Sequence, residues 1–246
     1  MRRRFFVETF EGDSASLEGD SARHLGKVLR AERGQLYELS NGNSVRLARV
    51  EKVGPELIEF ALLESVPGRA PRIESTLLLS IVKFDRFEWA LEKATELGVN
   101  AIAPLDAERS EKVLVAAASK RARRWEKILL ESAQQARRMK PPVLHPLAMA
   151  ADHFRNSGNQ AGANSTPRII LSERDDAPAM RKILTTFPAE STRLAILAVG
   201  PEGGWTDQEC AIATSSGFHE ASLGANILRT ETAVAAALAS INYVFG

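Results

Sequence analysis

Two glycine-containing loops in the C-terminal half of the chain hold the residues best suited to binding and catalysis. The first follows the apolar run Ala195–Val199 and reads Gly200-Pro201-Glu202-Gly203-Gly204-Trp205. Glycine lets a ligand approach the backbone closely, because no Cβ intervenes. Thr206 and Glu209 have the spacing of a capping box and predict a helix directly after the loop. The segment is a candidate ligand-binding loop, and an ordinary structural turn is the alternative interpretation.

The second loop, Ser222–Ala233, places Arg229 and Glu231 close to Gly224 at the entrance of an alanine-rich helix. Charged side chains beside a backbone turn suit the binding of a small polar ligand. Neither loop has the Gly-Lys-Ser or Gly-Lys-Thr ending of a Walker motif, or the third glycine of the dinucleotide fingerprint. The common mononucleotide and dinucleotide sites are therefore not expected here.

Residues 1 to about 66 have the pattern of a small β-barrel. Strand-like runs cover 5–10, 36–40, 45–53 and 57–66, and Asn41-Gly42 between two of them is typical of a hairpin turn. One helix is predicted over Ser21–Arg30, with Asp20 as its N-cap. The stretch 67–71, Pro-Gly-Arg-Ala-Pro, then interrupts every regular pattern and indicates a linker.

From Ile73 onward strands alternate with helices, which favours a mainly parallel sheet covered on both faces. Asp85 and Glu88 have capping-box spacing for the first helix, and a long helix is predicted over 117–138. Three short strands are predicted to run into loops with glycine or charge: 168–172, 193–199 and 220–223. The carboxyl ends of parallel strands meet at one edge of a sheet, so these loops are expected to form one binding site.

Composition limits the functional classes. With 32 basic and 31 acidic residues the net charge is +1, so contact with RNA requires local basic patches. Cys210 is the only cysteine, which excludes an internal disulfide framework, and the four histidines lack the spacing of metal ligands. The N-terminus lacks the pattern of a signal peptide, and the apolar run 233–245 is too short for a bilayer of about 30 Å. We therefore expect a cytoplasmic protein with no metal and no membrane association.

Six ordered stretches carry a specific resemblance. GPEGGWTDQE and LGANILRTETAVAAAL together resemble the C-terminal signature of the RsmE-type 16S rRNA (uracil-N3) methyltransferases, members of the SPOUT class. The resemblance extends over nearly the whole chain, through RHLGKVLRAERGQ from Arg23, KFDRFEWALEKATELGV from Lys83, ERS from Glu108 and RWEKILLESAQQARR from Arg124. Matches in this order are far more specific than one glycine loop.

The resemblance implies an α/β fold with two domains. A PUA-like β-barrel over residues 1–70 would bind RNA, and a SPOUT methyltransferase domain over 71–246 would end in a trefoil knot. It also implies a homodimer that binds S-adenosylmethionine in the knot loops and methylates N3 of a uridine in 16S rRNA within the 30S subunit. The alternatives are a SPOUT methyltransferase that acts on another RNA or position, and a non-catalytic RNA-binding assembly factor.

Carried onto this sequence, the resemblance places the cofactor site in three loops. For the reaction, we assign Arg229 to stabilise negative charge on the uracil ring, since a guanidinium donates to a carbonyl and keeps its proton. Glu202 or Glu231 would accept the N3 proton or hold Arg229 in place. The predicted cofactor-binding residues are Leu171, Ser172, Glu173, Val199, Gly200, Pro201, Glu202, Gly203, Gly204, Leu223, Gly224, Ile227, Leu228, Arg229 and Glu231.

RNA contact is predicted at local basic residues, namely Arg2, Arg3, Arg4, Lys27, Arg30, Lys83, Arg86, Arg109 and Arg138. Two positions depart from the family pattern. Asn226 stands where arginine is common, which affects a contact of the cofactor loop or of the RNA. Ala136-Arg137 replaces a small polar residue and a glycine before Arg138, which alters the surface of the long helix.

Overall fold

The computed structural model describes residues 3–68, 71–158 and 166–246. The chain divides into two compact units. The first contains the residues up to 70 together with 133–141, and the second contains 71–132 and 142–246. The predicted division at residue 70 does not include this return of the chain to the first unit.

The first unit contains five strands: β1 (Arg4–Phe6), β2 (Ser14–Glu18), β3 (Leu36–Ser40), β4 (Val45–Val53) and β5 (Leu57–Val66). They form one sheet in the order β1-β3-β4-β5-β2, in which β1 and β3 are parallel and the other pairs antiparallel. Alternate residues such as Ala15, Leu17, Ile58 and Phe60 point into its core. The strand β2 is not predicted from the sequence, because Ser14–Glu18 contains only two apolar residues.

The helical segment predicted over Ser21–Arg30 begins and ends two residues earlier than expected. It consists of α1 (Gly19–Arg23) followed by a π-helical turn over His24–Val28. Glu18 is the N-cap residue, so the predicted cap by Asp20 is wrong, and Asp20 instead pairs with Arg23. The π turn is one of the short insertions that widen a helix locally.

A buried ion-pair cluster attaches residues 133–141 to this sheet. Glu38 of β3 accepts hydrogen bonds from Arg4 Nη2 at 2.8 Å and from Arg137 Nη2 at 2.7 Å. Arg4 also donates to the carbonyl oxygens of Arg137 and Arg138. The side chains of Arg4 and Glu38 are only 6% and 7% exposed, so water screens these charges little.

Arg137 occupies one of the positions that depart from the family pattern. Its φ is +55°, in the left-handed region that glycine adopts without steric cost. The glycine that the resemblance implies at this position would therefore match the backbone of the turn. Arg137 adopts this strained conformation, and its guanidinium is the second cation that pairs with Glu38.

The second unit contains seven strands: β6 (Glu74–Ser80), β7 (Ala101–Asp106), β8 (Val143–Leu144), β9 (Ala148–Met149), β10 (Arg168–Leu171), β11 (Leu194–Val199) and β12 (His219–Ala221). The sheet order is β12-β10-β11-β6-β7-β8, with β9 also beside β7, and each of these pairs is parallel. The predicted α/β class with a parallel sheet is confirmed.

Helices cover both faces of this sheet. They are α2 (Phe84–Glu96), α3 (Lys112–Ala118), α4 (Ala122–Gln135), α5 (Ala150–Gly158), α6 (Met180–Leu184), α7 (Asp207–Ser215) and α8 (Thr230–Phe245). Leu77 and Leu79 of β6 share a core with α2, α4 and α8, whereas Leu78 belongs to the core with α5 and α7. Successive residues of a strand face opposite sides, so β6 separates the two cores.

The capping box predicted at Asp85 and Glu88 is wrong. α2 begins at Phe84, with Lys83 at the N-cap and no side-chain cap. Glu88 instead accepts hydrogen bonds from Arg124 Nε at 2.8 Å. Asp85 lies inside the first turn, where its negative charge still interacts favourably with the helix dipole.

The capping box at Thr206 and Glu209 is confirmed. The Thr206 hydroxyl accepts from the Glu209 amide, and the Glu209 carboxylate accepts from the Thr206 amide at 3.0 Å.

The long helix predicted over 117–138 is instead split into α3, a 3-10 turn over Ser119–Arg121 and α4. Within the described residues, no helix combines the length and the hydrophobicity needed to cross a bilayer.

Replacing Glu38 by glutamine removes the negative charge that Arg4 and Arg137 share. Breaking a buried ion pair leaves uncompensated charge, so we expect Glu38→Gln to lower the free energy of unfolding by about 3–5 kcal/mol. Urea denaturation measures this change. Glu64→Gln, at an exposed position of β5, is the matched control, with an effect of at most about 0.5 kcal/mol. Equal stability of the two variants would contradict a structural role for the cluster.

Candidate functional site

Three loops meet at one edge of the parallel sheet. Loop 172–179 follows β10, loop 200–206 follows β11, and loop 222–229 follows β12. Because β12, β10 and β11 are neighbours and run in parallel, their carboxyl ends lie side by side. The predicted meeting of these loops is confirmed by the strand order. Such an edge is where open α/β sheets bind their ligands.

Hydrogen bonds tie the three loops to one another. Trp205 is buried and donates its indole Nε1–H to the carbonyl oxygen of Leu171 at 3.0 Å. The Ser222 amide donates to the Pro178 carbonyl, and the Ser222 carbonyl accepts from the Met180 amide, both at 2.8 Å. Loop 200–206 is therefore fixed to the end of β10, and loop 222–229 is fixed to the segment that follows β10.

The loops surround a cavity of about 860 Å³. This volume is large enough for a ligand of nucleoside size. Glu202, Arg229 and Glu231 are not among its lining residues. The other predicted cofactor-binding residues do line it: Leu171, Ser172, Glu173, Val199, Gly200, Pro201, Gly203, Gly204, Leu223, Gly224, Ile227 and Leu228.

Acidic side chains exceed basic ones in the cavity wall. Glu173, Asp175 and Asp207 are acidic and Arg109 and Arg174 are basic, so the described lining residues sum to a formal charge of −1. Arg174 Nη1 lies 3.5 Å from Asp207 Oδ1, which partly neutralises both groups. The wall therefore favours a ligand with a net positive charge.

Glycines keep backbone atoms at the cavity wall. A Cβ on Gly200 would lie 3.1 Å from the Trp205 ring, so a side chain there would displace the indole. Gly204 has a φ of +69° and Gly224 a φ of +132°, both in a region that other residues rarely adopt. Substitution at any of these three positions would change the shape of the loops.

The three predicted catalytic residues lie beside the lining residues in the chain. Arg229 is exposed and is the N-cap residue of α8. Glu202 forms an ion pair with Arg86 of α2. Glu231 lies in the first turn of α8, and its Oε2 is buried with no hydrogen-bond partner among the described residues. The two carboxylates thus differ, because Glu202 is already paired with a cation.

The predicted RNA-binding residues have unlike environments. Arg2 lies outside the described residues. Arg4 is buried with Glu38, so the prediction of a surface cation at this position is wrong. Burial lowers the pKa of the Arg138 guanidinium to about 10, which leaves it charged at neutral pH. Among the members that do not contact the loops of the site, Arg3, Lys27, Arg30 and Lys83 are exposed.

The two remaining members of that set, Arg86 and Arg109, contact loop 200–206. Arg86 pairs with Glu202, and Arg109 Nη1 donates to the Gly203 carbonyl at 2.9 Å. No sequence pattern predicted these contacts, because they join distant parts of the chain. The only available signal was that each cation follows a buried strand of the same sheet.

The lining residues that were not predicted include Arg174, Trp205, Asp207 and Cys210. Arg174 belongs to a charged run directly after the buried strand β10, which was a usable signal. The roles of Trp205 and Cys210 depend on packing between loops. Across residues 3–68, 71–158 and 166–246, no group of three or more His, Cys, Asp or Glu side chains is arranged to hold a metal.

Comparison with known proteins places this site in a family. The profile of the RNA methyltransferase domain matches residues 69–242. A ribosomal RNA small subunit methyltransferase E from Mesomycoplasma hyopneumoniae is 34% identical, with 94% of each chain covered. The Synechocystis protein of the same name is 32% identical over 89% of this chain and 69% of its own length. The chain belongs to the ribosomal RNA small subunit methyltransferase E family of RNA methyltransferases.

A solved structure agrees with this RNA methyltransferase assignment. The ribosomal RNA small subunit methyltransferase E from Neisseria gonorrhoeae, bound to S-adenosyl methionine, has a TM-score of 0.85 at 30% identity. The match covers 99% of this chain and 98% of that one. The resemblance to RsmE-type enzymes that the sequence motifs carry is therefore confirmed.

Cys210 gives a direct test of how closed the cavity is. Burial raises the pKa of its thiol, so the reactive thiolate is scarcer than in an unfolded chain at the same pH. We expect the pH midpoint of iodoacetamide alkylation to lie higher for the folded protein than for the protein in urea. Mass spectrometry measures this rate without interference, because no other cysteine is present. Equal midpoints would show that the thiol is exposed to solvent.

Proposed function

We propose that this protein uses S-adenosylmethionine to methylate N3 of a uridine in 16S rRNA. The observation that carries the proposal is the cavity formed by three loops at the carboxyl ends of neighbouring parallel strands. Relatives named ribosomal RNA small subunit methyltransferase E support it, as does the Neisseria gonorrhoeae structure bound to S-adenosyl methionine.

The cavity suits this donor in charge and in shape. S-adenosylmethionine carries a sulfonium and an ammonium group against one carboxylate, so it is a cation overall, and the cavity wall has a formal charge of −1. Gly200, Gly203, Gly204 and Gly224 let its adenosyl and methionyl parts contact the backbone. When bound, the donor supplies an electrophilic methyl carbon attached to sulfur.

Arg229 is proposed as the residue that stabilises the reacting base. Uracil N3 holds a proton and lies on the pairing edge, so the base must leave its helix before reaction. The N3–carbon bond forms as the carbon–sulfur bond breaks, and the N3 proton passes to a base. Arg229 is exposed at the start of α8, where its guanidinium can donate to a uracil carbonyl as negative charge develops.

Glu231 is the better candidate for the proton acceptor. Its Oε2 is buried without a partner among the described residues, whereas Glu202 is paired with Arg86. The ion pair with Arg86 occupies the Glu202 carboxylate, which leaves its oxygens less available to accept the N3 proton. Glu202 is then assigned to holding loop 200–206 in place.

The finer architecture belongs to the same proposal. Residues 1–70 would form a PUA-like barrel that binds RNA, and residues 71–246 a SPOUT domain with a C-terminal trefoil knot. The protein would act in the cytoplasm as a homodimer on 16S rRNA within the 30S subunit. Family membership over 69–242 supports this arrangement, together with the exposed cations Arg3, Lys27 and Arg30.

Methyl transfer to purified 30S subunits and to naked 16S rRNA tests the proposal. We expect nucleoside mass spectrometry to find 3-methyluridine in the 16S rRNA, and alkylation of Cys210 to slow when S-adenosylmethionine is added. Methylation of transfer RNA or of a ribose hydroxyl would instead indicate another SPOUT activity. Failure of calorimetry to detect binding of the donor would point to the non-catalytic assembly factor.

Arg229→Ala separates catalysis from binding. We expect the single-turnover rate to fall by about 10²–10³-fold, as when one donor to a developing anion is removed. The Kd for S-adenosylmethionine, measured by calorimetry, should change little, because Arg229 does not line the cavity. Arg155→Ala, an exposed arginine of α5, is the control. An unchanged rate for Arg229→Ala would remove this residue from the mechanism.

A further inference from the structure

The ERS segment, residues 108–110, contacts both loop 200–206 and the helix α7 that follows it. Arg109 Nη1 donates to the Gly203 carbonyl at 2.9 Å. The Glu108 amide donates to Glu209 Oε1 at 2.9 Å, while Oε2 of the same carboxylate accepts from the Thr206 amide. The segment therefore holds both the glycines of the loop and the start of the helix that follows it.

This segment is itself anchored to the sheet. The Ser110 hydroxyl is buried and donates to the Ile81 carbonyl, directly after β6, at 3.1 Å. The Ser110 amide donates to the Ala107 carbonyl at 3.0 Å, which closes a turn at the end of β7. The loop is thus held against a turn fixed to the two central strands.

The peptide unit between Gly203 and Gly204 is fixed at both ends. Its carbonyl accepts from Arg109, and its amide donates to the Pro201 carbonyl at 2.9 Å. A peptide unit is planar, so the two bonds together define its orientation. Glycine on both sides offers little steric resistance to a flip of this unit. Without Arg109, only the bond to Pro201 would oppose such a flip.

Close packing adds to the hydrogen bond. A Cβ built on Gly203 would lie 3.3 Å from Arg109 Cβ and 3.6 Å from Arg109 Cδ, so the arginine stem lies directly over the glycine. The Gly203 carbonyl also accepts a hydrogen bond from the Arg109 guanidinium. Both observations indicate that Arg109 supports the loop, and neither requires contact with a ligand.

We infer that Arg109 is a positioning residue, which locks the Gly203–Gly204 peptide and so keeps loop 200–206 ready to receive the donor. This role differs from the RNA contact that the sequence predicts for Arg109. Its link to S-adenosylmethionine rests on the proposed function. Prior ordering of the loop improves affinity, because less freedom is lost on binding.

Hydrogen exchange of the ligand-free protein tests the positioning itself. In Arg109→Ala we expect the amides of 203–206 to exchange about tenfold faster than in the unaltered protein, because local opening becomes easier. Arg109→Lys keeps most of the aliphatic stem and one cationic donor, so it should recover part of the protection. Arg155→Ala should leave these amides unchanged. Unaltered exchange in Arg109→Ala would overturn the inference, whatever its effect on activity.

Calorimetry and RNA binding then separate the two roles of the arginine. We expect the Kd for S-adenosylmethionine to rise about tenfold in Arg109→Ala without RNA, since hydrogen bonds to charged groups have effects of this size. The salt dependence of 16S rRNA binding should stay as it is. Unchanged donor affinity, with a salt slope reduced by about one, would identify a phosphate contact and overturn the inference. If the unaltered protein fails to bind the donor, the proposed function fails, and hydrogen exchange alone decides the role of Arg109.

Discussion

The candidate site depends on the buried hydrogen bond from the Trp205 indole to the Leu171 carbonyl. Leu171 is the last residue of β10, so this bond fixes the glycine loop after β11 to the end of the neighbouring strand. The indole also lies 3.1 Å from where a Cβ on Gly200 would be, so a side chain at that position would crowd the ring. Loop 222–229 is joined to the segment after β10 through Ser222. These hydrogen bonds connect the three loops that line the cavity.

The same dependence on distant contacts is found in the first unit. Glu38 is buried with two guanidinium groups, one from β1 and one from the segment 133–141. Each charge is tolerable only because the others are present. Arg137 also adopts a left-handed backbone conformation, and its ion pair with Glu38 offsets the cost of that conformation.

Local patterns predicted the elements that local energetics control. The buried strands and the capping box at Thr206 both follow from side chains that are close together in the chain. The capping box predicted at Asp85 does not form, because Glu88 instead pairs with Arg124 of another helix. The prediction of RNA contact at Arg4 failed for the same reason, because Arg4 is buried against Glu38, a partner that is distant in sequence. The glycine loops were predictable as a site, but the contacts of Arg86 and Arg109 with loop 200–206 required the tertiary structure.

The most direct measurement is the affinity of Trp205→Phe for S-adenosylmethionine, compared by calorimetry with Trp89→Phe, which alters an indole that is 43% exposed. Phenylalanine keeps an aromatic ring but leaves the Leu171 carbonyl without its donor, at a cost of about 1–3 kcal/mol. If the hydrogen bond from Trp205 to Leu171 shapes the donor site, Trp205→Phe should bind the donor at least about tenfold more weakly than Trp89→Phe. Equal affinities in two folded variants would contradict the account.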